Sequence, residues 1–163
     1  MLKKIAIAVV VSSPAYAADV TITGNVEAKC IVQTDTAGVY GNPTPDTLTT
    51  ASASGGVAPV VRFDVAIANY YVAKITYPTS FSTSPNLTDV VNWSGSIATE
   101  QVSDSGMSAY DAAAVSYNAT KEFELSIAGS TWFAIESVAE YGYGKSFPAG
   151  TYRSVVVAEC IAQ

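Results

Sequence analysis

Histidine is missing altogether. With it go the commonest general base and the commonest imidazole metal ligand. Basic residues are few: 8 Lys and Arg against 14 Asp and Glu, a formal net charge of −6. So acidic a chain is a poor partner for nucleic acid, whose phosphates call for a cationic surface. No apolar run reaches the roughly 18 residues that a membrane-spanning helix needs. Charged residues make up only 13% of the chain, and the Ser, Thr, Val and Tyr that replace them suit sheets with hydroxyl-rich outer faces. Cysteine is limited to Cys30 and Cys160.

The N-terminus carries an export signature. Lys3 and Lys4 precede the apolar run Ile5 to Val11, and Ala15-Tyr16-Ala17 has the small-x-small form of a cleavage site. Residues 1–17 are therefore expected to be a signal peptide, too short in its apolar part to span a bilayer. The mature chain would hold about 146 residues, one domain by size, with a net charge of about −8 once Lys3 and Lys4 are gone. In an exported chain the default for two cysteines is one disulfide; free thiols or a bond between two chains are the alternatives.

From Asp19 to Cys30 apolar and polar residues alternate, with Val20, Ile22, Val26, Ala28 and Cys30 on one face. A strand with one dry face needs a sheet to bury it, either its own or a neighbour's. Further strands are expected over residues 57–68 (Val61, Phe63, Val65 and Ile67 inward), 71–77, 121–127 (Phe123, Leu125 and Ile127 inward), 131–138 and 151–162. Residues 38–46 are rich in breakers, 48–54 are polar, 78–85 read as a loop, and 87–97 are weakly patterned. Residues 110–117 fit a short helical turn or a strand equally. Seven to nine short strands and no long amphipathic helix make an all-β sandwich the expected fold.

Little here points to chemistry. Gly142-Tyr143-Gly144 lacks the third glycine of a dinucleotide fingerprint and the strand-to-helix context it requires. Glu122 and Glu124 read as the solvated face of a strand. Three formal glycosylation sequons, at Asn86, Asn92 and Asn118, are near the number chance provides in a chain rich in Thr and Ser. No catalytic, metal or cofactor site is expected. A histidine-free hydrolase would need two carboxylates brought together across a cleft. The aromatics, Tyr70, Tyr71, Trp93, Trp132, Phe133, Tyr141 and Tyr143 among them, read as core and strand packing. A secreted carbohydrate-binding sandwich that stacks sugars on them is the alternative.

An ordered set of segments resembles a family. The alternating opening 19–28, Pro85 to Asn92, Tyr110 to Tyr117, Glu122 to Ala128 and Pro148 to Val157 resemble, in order, segments of chaperone–usher pilins. The nearest likeness is to the colonization-factor (class 5, alpha-type) fimbrial major subunits. The resemblance implies an Ig-like antiparallel β-sandwich that lacks its last strand and is completed by donor-strand exchange, a known form of strand addition. It implies a fimbrial shaft subunit, exported through the periplasm to a cell-surface fibre that supports adhesion. Its partners would be further copies of itself, a periplasmic pilus chaperone, an outer-membrane usher and a tip adhesin. Residues 18–28 would be the donor extension and 29–163 the pilin domain.

On that reading Val20, Ile22, Gly24 and Val26 face the acceptor groove, Gly24 at a shallow pocket or a bulge. The groove would lie beside the last strand, with Tyr152, Val155, Val156 and Val157 as acceptor residues. Which face of that strand turns inward is ambiguous: Tyr152, Ser154, Val156, Ala158 and Cys160 form one, Val155, Val157 and Ile161 the other. The close family generally lacks a disulfide. A Cys30–Cys160 bond is therefore expected beyond one end of the groove, because bridged Cα atoms lie about 4.4–6.8 Å apart, whereas strands flanking an inserted one lie about 9.5 Å apart.

Overall fold

The computed structural model describes residues 21–24 and 29–163. The expected signal peptide and positions 18–20 and 25–28 lie outside the described residues. The chain is all-β, with antiparallel pairing throughout. The strands are β1 (Cys30–Thr36), β2 (Gly41–Thr44), β3 (Thr47–Thr49), β4 (Val60–Val65), β5 (Tyr71–Thr76) and β6 (Phe81–Thr83). They continue with β7 (Val91–Val102), β8 (Val115–Tyr117), β9 (Thr120–Leu125), β10 (Gly129–Tyr141), β11 (Arg153–Ser154) and β12 (Val157–Ala162). A single helical turn, α1 (Tyr110–Ala113), precedes β8. No helix among the described residues is long and apolar enough to cross a membrane.

Two sheets share one core. The larger is organised by β10, the longest strand. Its alternation buries Thr131, Phe133, Ile135, Ser137, Ala139 and Tyr141 on one side, as a period of two requires. β7 pairs along one edge of β10; β4 and then β3 pair along the other, with β1 outside β4 and β2 outside β3. The second sheet has the order β12-β5-β9-β8. Its inward residues Ala73, Ile75, Phe123 and Leu125 meet Phe63, Phe133 and Ile135 of the first. Phe123 and Phe133 lie 4.3 Å apart between ring centroids across that boundary. Full burial of each such ring removes its apolar area from water, worth roughly 1.5–3 kcal/mol.

Several expectations change in detail. Residues 57–68 shrink to β4: Val57 makes only an isolated bridge to Val39, and Ile67 lies beyond the last ladder pair and is exposed. The weak pattern of 87–97 hides β7, a twelve-residue strand in which Ile97 alone is buried, so that little apolar alternation marks it. The expected loop 78–85 contains β6, which pairs with β11. Residues 110–117 adopt both readings in turn, α1 and then β8. The last strand is broken: β11 pairs with β6, β12 pairs with β5, and Val155-Val156 lie between them.

Candidate functional site

β1 and β12 are each the edge of their sheet. β1 pairs only with β4 and β12 only with β5 among the described residues. Each therefore has one row of backbone groups with no ladder partner there. The two edges run side by side and are joined at Cys30–Cys160, with 6.3 Å between the Cα atoms. Both cysteines are half-buried and rest against the common core. The disulfide is intramolecular, and no free cysteine remains.

Beyond the disulfide the edges part. A groove of about 880 Å³ opens between residues 34–40 and residues 150–156. The parting has local causes on both walls. β1 carries an irregularity between Thr34 and Thr36, and such a bulge bends a strand and raises its twist. On the opposite wall the ladder shifts register between Arg153 and Ser154 and lapses at Val155-Val156. Buried Leu48, Thr50, Val61 and Ser137 also line the groove. Among the described residues Arg153 is the only charged one in the lining. The described lining offers apolar surface, hydroxyls and strand edges.

Tyr40 ties the walls together. Its hydroxyl lies 2.6 Å from Ser154 Oγ on the last-strand wall and 3.2 Å from Ser137 Oγ on β10. Ser137 is held in turn by Thr50: its N–H donates to Thr50 Oγ1 at 2.9 Å, and the Thr50 N–H donates to the Ser137 carbonyl at 3.0 Å. At the rim Tyr152 donates to the Pro148 carbonyl at 2.6 Å. Burial, and then the nearby Tyr141, raise its phenol above the ordinary value. Tyr152 keeps its proton, as a donor must.

The last strand resolves its ambiguity by alternation. Tyr152, Ser154, Val156, Ala158 and Cys160 turn inward and half-buried, while Val155, Val157 and Ile161 are exposed. Tyr152, Val155 and Val156 line the groove. Val157 does not; it borders a smaller cavity of about 260 Å³ with Thr76, Tyr77 and Pro78. At the other end of the chain Ile22 is 94% exposed, and nothing lies within 4 Å of a side chain built at Gly24. Val20 and Val26 lie outside the described residues.

Sequence reasoning missed most of the groove. Tyr40 and Leu48 sit in segments that read as breakers and polar linker, and no local signal marks them. Val61, inward by alternation, and Tyr152, Val155 and Val156, named from the last strand, are the lining residues that the sequence offered.

The two tryptophans lie on opposite faces of the larger sheet. Trp93 is in register with the buried Ala139 and packs against Phe81, 4.7 Å between centroids. Trp132 alternates with buried Thr131 and Phe133, so it lies on the opposite face, where Arg62 sits over its ring at 5.7 Å. The Phe81 cluster, with Tyr40, Phe147 and Tyr152, packs edge to face. The chain matches no family model, no curated protein and no solved structure.

Proposed function

We propose that the chain is a polymerising fimbrial shaft subunit of the chaperone–usher type. The two-sheet body is read as an Ig-like sandwich lacking one strand, and the groove as the place of that strand. Residues 18–28 of another copy would fill it. The observation that carries this reading is the pairing of two features. A groove lies between two strand edges without ladder partners among the described residues, and Ile22, the described apolar residue of the chain's own alternating segment, is 94% exposed.

The physics favours strand addition. An inserted strand satisfies backbone groups on both walls and buries alternate side chains, the two components of such recognition. Each Val or Ile so buried contributes roughly 1.5–3 kcal/mol. An exposed, unpaired edge is otherwise an aggregation hazard. The direction of the chain favours a donor from another copy. Lys29 enters β1 at the disulfide end, so the segment before it would have to double back past the bond to reach its own groove. The partners on this reading are further copies of the chain, a periplasmic chaperone, an outer-membrane usher and a tip adhesin. The site of action is the cell surface.

The test is the mature protein on a denaturing gel, unboiled against boiled. A ladder that collapses to monomer on boiling is the expected result. A folded protein that runs as monomer without boiling sinks the proposal.

A further inference from the structure

We infer that the Cys30–Cys160 bond is a register stop, which closes one end of the groove and sets how far a strand from a second copy can slide in. The inference rests on the strand-exchange reading and adds to it a limit on where the strand sits.

The argument is steric. A strand paired on both sides stands about 4.8 Å from each neighbour, so its flanks must lie about 9.5 Å apart. At the disulfide the flanks are 6.3 Å apart between Cα atoms, and a covalent bond spans them. No backbone can pass there, whatever its side chains. The first groove residue on one wall is Thr34, and on the other Val156. Each is four positions from its cysteine, about 13 Å along a strand. The edges therefore diverge symmetrically from the bond into the groove, a wedge with its apex at the sulfurs.

The wedge fixes a length as well as an end. From Val156 back to Tyr152 the last-strand wall offers an unbroken run of five lining residues, about 17 Å, with Gly150 beyond its end. A strand held there turns three alternate side chains inward. The segment 18–28 carries four candidates at that spacing, Val20, Ile22, Gly24 and Val26, so more than one register would satisfy the apolar pattern. Strands whose pattern tolerates a two-residue slip need some other device to set their register. The disulfide supplies it at a fixed point, independent of pocket shape.

The experiment places a diazirine analogue of leucine at Ile22 in the mature chain. Such a group labels only what it touches. The unboiled ladder is irradiated, and the labelled residues are mapped by mass spectrometry. In the oxidised chain labelling is expected at one set of groove residues, with none at 30–32 or 158–162. In the C30S/C160S variant the map is expected to spread by at least two residues toward position 160. Labelling of 30–32 or 158–162 in the oxidised chain overturns the stop, and so do identical maps in the two proteins. If the variant fails to assemble, the oxidised map alone decides. A ladder with a slipped map removes the stop and leaves strand exchange intact; the absence of any ladder from the oxidised chain removes both.

Discussion

The seam between β1 and the last strand has two ends built from the same two edges. At one end the ladders are regular: Cys30 is in register with Val65 and Cys160 with Ala73, and the edges are bonded 6.3 Å apart. Four residues further along, both ladders falter, at Thr34–Thr36 and at Arg153–Val156, and a groove of about 880 Å³ takes their place. Regular pairing to an inner neighbour keeps each edge against the core. Irregular pairing lets it turn away. The opening is thus made by the backbone's departures from regularity, while the last-strand wall keeps its alternation of half-buried and exposed residues.

The largest expected effect comes from breaking the closed end. The C30S/C160S variant releases a loop of 130 residues, and on the chain-entropy account should lose about 4–5 kcal/mol of stability. Urea unfolding of wild type against the variant measures it.

Next come two substitutions that set core against groove. Ile135→Ala empties a fully buried position and should cost about 2–5 kcal/mol. Val61→Ala, buried but lining the groove, removes less volume beside space already open, and should cost about 1 kcal/mol. Equal losses in parallel denaturant titrations would show the groove to be as tightly filled as the core.

A smaller effect tests the tie across the open end. Tyr40→Phe removes the hydroxyl shared by Ser137 and Ser154 and should cost about 1 kcal/mol. Amide exchange should rise at Ser154 and Val155 more than at Cys160, which the disulfide still holds.

The smallest is a dependence on pH away from the seam. Burial pushes the Asp111 carboxyl up, but the Lys121 ammonium at 3.0 Å and the Thr99 N–H outweigh it and hold it below the ordinary 3.8. Burial likewise pushes Asp64 up, and Ser130 and then Arg62 outweigh it. Both carboxyls bind protons more weakly folded than unfolded. Their contribution is complete above about pH 5 and fades as pH falls through the lowered folded values. The urea midpoint should therefore fall between about pH 5 and pH 2. Asp111→Asn should flatten part of that slope without changing the sign of the remainder.

Parts of this molecule were legible from side-chain order alone. Phe123 and Leu125 in β9 and Val61, Phe63 and Val65 in β4 follow from alternation, and the disulfide between Cys30 and Cys160 is the default pairing expected of two cysteines behind an export-like N-terminus. β7 and β6 were not legible. Their apolar residues answer to partners distant in sequence: Trp93 to Ala139 and Phe81, and β6 to β11. Tyr40 looked like part of a turn. Its place against Ser154 is fixed by a contact 114 residues away.

By itself the sequence determined which residues alternate, that the chain is built of strands, and that two cysteines are available to pair, because these depend on the order of side chains along the backbone. Only the tertiary structure decided which edges stand side by side, which face of residues 152–160 turns inward, and where the seam is sealed and where it opens. Those are distances between segments more than a hundred residues apart, set by how two sheets share one core.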